Sequence, residues 1–177
     1  FKNYKQWTDI FESFTFKANI WIFIKAWIAN YFWTHYFYTI LGASYTFNAY
    51  KFNNVPLCLY FMSHAYFLFY HTISTYIIRY CINKEYSFLI RCSIIILLLY
   101  FLAFMEAWTL ENFPYYQQID IENMYLYGSA FYTLYFIISF PMYYYIDEEK
   151  PWTLSYTIIN SLACCMLITQ ALDLWRL

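Results

Sequence analysis

Five long apolar runs, separated by short polar stretches, dominate the chain. They extend from about Ala18 to Ile40, Pro56 to Tyr80, Ser87 to Thr109, Asn123 to Ile146 and Trp152 to Arg176. A helix rises about 1.5 Å per residue, so each run can cross the roughly 30 Å hydrocarbon core of a bilayer. The runs lack the continuous polar face that a surface helix of a soluble domain shows. Their boundaries carry start and stop signals: Pro56 suits a first helical turn, Asn112-Phe113-Pro114 breaks the third run, and Pro151 follows an Asp-Glu-Glu-Lys stretch. Pro141 falls inside the fourth run, where neighbouring helices can satisfy the carbonyl that it frees. The pattern predicts an all-α fold, a polytopic membrane helical bundle of about five transmembrane helices over residues 17–177. Residues 1–16 place Trp7, Phe11 and Phe14 near helical period among polar neighbours, and are expected to form an interfacial or loop segment. A start at Phe1 without Met, and an end at Leu177 without a polar tail, lead us to expect part of a longer protein.

Composition strengthens the membrane expectation. The 177 residues are 63% hydrophobic and 12% charged, against about 45–50% and about 25% in an average soluble domain, an excess that no single water-soluble core would hold. A net charge of −1 offers no basic surplus for nucleic-acid phosphates, so no nucleic-acid partner is expected. The lipid bilayer is the expected surroundings. Five cysteines form no CxxC pair and have no histidine at zinc-ligand spacing; they read as small apolar fillers, with no metal site.

Ionisable side chains inside apolar spans are costly and mark function or a specific partner. Depth along each helix places His35 about 9 Å beyond the middle of the first span, His64 about 6 Å before the middle of the second, and Glu106 about 12 Å beyond the middle of the third. Because alternate helices run in opposite directions, all three fall in one half of the bilayer, and their convergence is expected. Lys25, Arg91 and Asp173 are read as long or end-located side chains that reach the interface. His64 and His71, seven residues apart, share one helical face, a poor arrangement for two axial haem ligands. Trp33, Tyr36 and Trp108 flank the polar positions, as an interfacial aromatic belt or as π faces for a cationic ligand.

Longer strings carry a resemblance. Asn30-Tyr-Phe-Trp-Thr-His-Tyr-Phe37, Leu41-Gly-Ala-Ser-Tyr-Thr-Phe47, Asn53-Asn-Val-Pro56, Phe67-Leu-Phe-Tyr-His71, Asn112-Phe-Pro-Tyr-Tyr116, Tyr135-Phe-Ile-Ile-Ser-Phe-Pro-Met142 and Asp173-Leu-Trp-Arg-Leu177 resemble, in order, the cycloeucalenol cycloisomerase family of the plant-type sterol pathway. The resemblance runs from about Lys17 to the last residue. Members of that family carry a further hydrophobic region before this portion. The resemblance implies a sterol substrate, an endoplasmic reticulum location, and opening of the 9β,19-cyclopropane ring of cycloeucalenol to give obtusifoliol. That isomerisation needs no redox cofactor and no metal, only a proton donor and a proton acceptor. His64 and Glu106 are then the expected acid/base pair, with His35 as a second donor or orienting group. Trp33, Tyr36 and Trp108 would face the cation; Asn53, Asn54, Asn112 or Tyr115 would cap the sterol hydroxyl, and His71 is a further substrate contact. A non-catalytic sterol-binding or structural membrane subunit, and a sterol double-bond isomerase, remain the alternatives.

Overall fold

A computed structural model describes residues 7–117, 119 and 121–176. Residues 1–6 of the expected interfacial segment lie outside the described residues. The remainder of that segment forms a short helix α1 (Trp7–Phe11) and the start of α2 (Phe14–Ile28). Ser13 caps α2, its Oγ accepting from Phe16 N at 3.2 Å, which satisfies an amide that the first turn cannot.

Helices occupy all five apolar runs, and π turns divide the first and the fourth. After α2, a π turn (Ala29–Trp33) leads without a break into α3 (Thr34–Ile40). Next come α4 (Leu57–Asn83) and α5 (Phe88–Glu111). A short helix α6 (Ile121–Asn123) and a second π turn (Met124–Gly128) run into α7 (Ser129–Tyr144), and α8 (Leu154–Arg176) ends the chain. Of the five expected spans, two, Phe88–Glu111 and Leu154–Leu174, are long and apolar enough to cross a membrane among the described residues.

Two small antiparallel ribbons occupy the connections. In one, β1 (Ser44–Tyr45) pairs with β4 (Tyr116–Gln117); in the other, β2 (Lys51–Phe52) pairs with β3 (Val55–Pro56) across Asn53 and Asn54. Both asparagines have positive φ, 49° and 60°, a conformation that asparagine tolerates better than most residues and that turns the hairpin. These strands lie in the polar gaps of the hydrophobic pattern, too short to give an alternating signal.

Helix α2 packs against α4 and α8, while α7 contacts α4, α5 and α8. The core gathers Trp21, Ile22 and Ala26 of α2, Phe136 and Phe140 of α7, and Cys164, Cys165 and Ile168 of α8. Cys164 and Cys165 fill space as expected, whereas Cys58 is exposed. Between α2 and α8 the packing is pinned by polar bonds: Trp21 Nε1 donates to Asn160 Oδ1 at 2.9 Å, and Ser161 Oγ donates to the Trp21 carbonyl at 2.7 Å. At one end, Lys17 Nζ bonds the Asp147 carboxylate at 2.5 and 2.7 Å and the Trp152 carbonyl at 3.1 Å, and Arg79 pairs with Glu148 at 2.6 Å. The Asp-Glu-Glu-Lys stretch is therefore a polar clasp between helix ends.

Candidate functional site

Four helical segments and the β1–β4 ribbon enclose a cavity of about 480 Å³, within the roughly 300–1,000 Å³ common for small-molecule sites. Its wall on α4 is drawn from Ser63, Tyr66, Phe67 and Tyr70, spaced i, i+3, i+4 and i+7 on one helical face. Glu106, Thr109 and Leu110 contribute from α5, and Tyr132 and Tyr135 from α7. The π turn and α3 supply Asn30, Trp33, Thr34, Phe37 and Tyr38. Met62, Tyr66, Thr109 and Asn112 are exposed as well as lining, so the mouth lies between the N-terminal part of α4 and the C-terminal end of α5.

The π turn sets the Asn30–Trp33 part of the wall. An added residue in a helical turn rotates the side chains downstream of it, and such turns often sit at functional sites. Asn30 Nδ2 donates to the Ala26 carbonyl at 2.8 Å, and Trp33, 1% exposed, donates from Nε1 to Thr169 Oγ1 at 2.9 Å. Trp33 is thereby clamped from α8 while its ring faces Tyr135, centroid to centroid 4.8 Å. At the ribbon end, Tyr45 and Tyr116 face each other at 5.0 Å. Burial pushes both phenols well above their usual range, leaving them neutral hydrogen-bonding groups.

Glu106 is the carboxyl in the wall. The residue is partly exposed, but its Oε2 is sealed from solvent and has no hydrogen-bond partner. Phenols of Tyr70 and Tyr132 lie against the carboxyl from α4 and α7.

Among the other expected site residues, Trp33 and Asn112 line the cavity and eight do not. The shared-depth expectation is corrected for the histidines: equal depth does not fix helix rotation. His64 comes one position after the lining residue Ser63, about 100° round the helix, and its Nε2 meets Asn19 Oδ1 at 3.2 Å on α2. His71 is displaced from Tyr70 by the same step, so the two histidines do share a face, turned towards other helices. His71 is fully buried, donates from Nδ1 to the Phe67 carbonyl at 2.7 Å, and bonds Ser139 Oγ at 2.9 Å through Nε2. His35 and Tyr36 fall between the lining positions Thr34 and Phe37: His35 stacks edge-on to Tyr38, and Tyr36 donates to Asp173 at 2.5 Å.

Trp108, two residues past Glu106, is turned about 200° away and is 51% exposed. Asn53 Nδ2 donates to the Tyr31 carbonyl at 2.6 Å, and with Asn54 shapes the β2–β3 turn; Tyr115 is exposed beside Phe47 and Phe113. None of these three asparagine and tyrosine groups lines the cavity.

The phenols of the wall lack a distinguishing mark in the sequence. Tyr70, Tyr132 and Tyr135 were hidden in a chain with 23 tyrosines, although Tyr66 and Tyr70 at i, i+4 and Tyr132 and Tyr135 at i, i+3 do mark shared faces. Lys25 does not reach the interface, contrary to the expectation for a long side chain. Instead Lys25 is fully buried, its Nζ has no hydrogen-bond partner, and it stands 3.8 Å from the centre of the Phe67 ring, behind the wall that Phe67 and Trp33 present to the cavity.

Against curated proteins, the chain is 42% identical over 169 residues to cycloeucalenol cycloisomerase of Arabidopsis thaliana, a match covering 91% of this chain and 60% of that protein. It thus spans about three-fifths of the length of the curated relative that it matches. No protein-family model matches the chain, and no solved structure does. On this sequence relationship, the chain belongs to the cycloeucalenol cycloisomerase family.

Proposed function

We propose that this chain is the cavity-forming portion of a sterol isomerase that opens the 9β,19-cyclopropane ring of cycloeucalenol to give obtusifoliol. The observation that carries the proposal is a carboxyl with one unbonded, solvent-sealed oxygen in the wall of an aromatic cavity, in a relative of cycloeucalenol cycloisomerase.

The chemistry asks for little more. A proton is delivered to the cyclopropane methylene, the bond between that carbon and the tertiary ring carbon breaks, and the bonding pair becomes the new C–H bond. Positive charge is left on the tertiary carbon. Loss of the neighbouring ring proton to a base supplies the pair that forms the 8,9 double bond, so atoms and charge balance without a redox partner. Glu106 is the proton-transfer group in this reading, with Tyr70 and Tyr132 fixing its carboxyl. The π faces of Trp33 and Phe67 stabilise the cation, each by about 1–2 kcal/mol when desolvated.

The five long helices are read as spans of a multi-pass membrane protein of the endoplasmic reticulum. Exposed apolar side chains such as Phe61 and Phe69 on α4, and Leu97 and Phe101 on α5, support that reading, since hydrocarbon rather than water suits them. A sterol dissolved in the bilayer would meet the cavity mouth between those same two helices.

Expression of the full-length gene in a sterol-tractable yeast fed cycloeucalenol, with sterols followed by mass spectrometry, tests the assignment. Obtusifoliol is the expected product. Its absence from cells that hold well-expressed, inserted protein overturns the isomerase.

A further inference from the structure

Two lining residues carry a buried polar atom without a hydrogen-bond partner among the described residues: Glu106, through Oε2, and Tyr135, through its hydroxyl. Proton transfer gives Glu106 a use, but the reaction assigns none to the Tyr135 hydroxyl. Buried polar groups in native proteins are bonded in about nine cases of ten, and leaving one open is costly. A hydroxyl left open on a cavity-lining residue therefore calls for a partner from whatever fills the cavity.

The surroundings hold that phenol still. Tyr135 is 2% exposed, with Trp33 at 4.8 Å and Tyr132 at 5.4 Å between ring centres, and Trp33 is itself anchored to α8 through Thr169. Asn30 Nδ2 is bonded to Ala26 and the Tyr70 and Tyr132 phenols lie against Glu106, while the unbonded Lys25 Nζ, over the Phe67 ring, does not line the cavity.

Resting on the sterol reading above, we infer that Tyr135 is the specificity-determining residue that receives the hydroxyl of the sterol. A phenol both donates and accepts, which matches an alcohol, the single polar group on an otherwise hydrocarbon ligand. The flat rings of Trp33, Phe37 and Phe67 then take the hydrocarbon body. Anchoring the alcohol on α7 fixes which part of the ring system is presented to Glu106 on α5. This assignment moves hydroxyl recognition from the loop asparagines into the bundle.

The test measures binding of cycloeucalenol and its 3-deoxy analogue to the full-length protein in detergent micelles, for the parent and for Tyr135→Phe. The parent should prefer the alcohol by about five- to tenfold, the worth of one hydrogen bond, and the variant should lose that preference, because it would bury the sterol hydroxyl unpaired. A variant that keeps the parent's preference overturns the assignment and points to a water on Tyr135; so does a parent with no preference. A variant that loses both ligands equally overturns it too, by giving the hydroxyl to the fold. Product analysis separates this from the reaction: a hydroxyl preference abolished by Tyr135→Phe in a protein that makes no obtusifoliol removes the isomerase and keeps the Tyr135 assignment. Conversion with a preference untouched by the variant does the reverse.

Discussion

Single side chains decide the chemistry, and they make the sharpest predictions. Glu106→Gln keeps the shape of the carboxyl but removes its exchangeable acid; turnover of cycloeucalenol should fall by about 10² or more while sterol binding persists. An unchanged rate in sterol-fed cells would take proton transfer away from Glu106. His64→Ala and His35→Ala should leave turnover within a few-fold, because neither imidazole lines the cavity. A loss as large as that of Glu106→Gln in either variant would restore the histidines to the reaction. At this scale the sequence was only partly legible. Hydropathy and depth singled out Glu106 together with His35 and His64, and Trp33 as an aromatic beside them, but depth is one coordinate of a helix and rotation is another. Ser63 and His64 differ by one step in the chain and by which helix they meet. The phenols were unreadable for a different reason: a side chain type used this often carries no contrast until its neighbours are known.

The elements were more legible, because their signal is summed over many positions. All five apolar runs are helices whose ends agree with the expected ones to within a few residues. What escaped notice were the two π turns, which change direction without changing hydropathy, and the two-residue strands. Two predictions belong here. Gly42 has φ of +61°, and an added Cβ would stand 2.5 Å from Ile119 Cδ1. Gly42→Ala should cost about 1–2 kcal/mol and shift the β1–β4 ribbon over the cavity, read as a lower thermal midpoint in detergent. An unshifted midpoint would show that the turn accepts a side chain. In the clasp, Asp147→Ala leaves the nearly fully buried Lys17 ammonium without its carboxylate, for a loss of about 3 kcal/mol. Lys17→Met combined with Asp147→Ala should regain part of that loss; a double variant as weak as the single one would mean that Asp147 acts mainly by accepting from Trp152 N, at 2.7 Å.

At the scale of the molecule, the expected environment is hydrocarbon. The expressed protein should stay with membranes through an alkaline carbonate wash, and release into the supernatant would remove the multi-pass reading. The bundle's connectivity has a second consequence, for the order in which the protein is made. Every described residue that lines the cavity lies between Ala29 and Tyr135, so all of these lining residues are synthesised before α8. Yet the indole N–H groups of Trp21 on α2 and Trp33 in the following π turn find their acceptors on α8, at Asn160 and Thr169. Until then the two indoles wait unanswered, and the newborn chain exposes the surface that α8 will cover. Such long waits for a distant partner slow folding and invite capture by other chains. Helix α8 is thus a latch of biogenesis: none of its described residues lines the cavity, and a ribosome that stops short of it leaves the lining residues in a bundle still open along one seam.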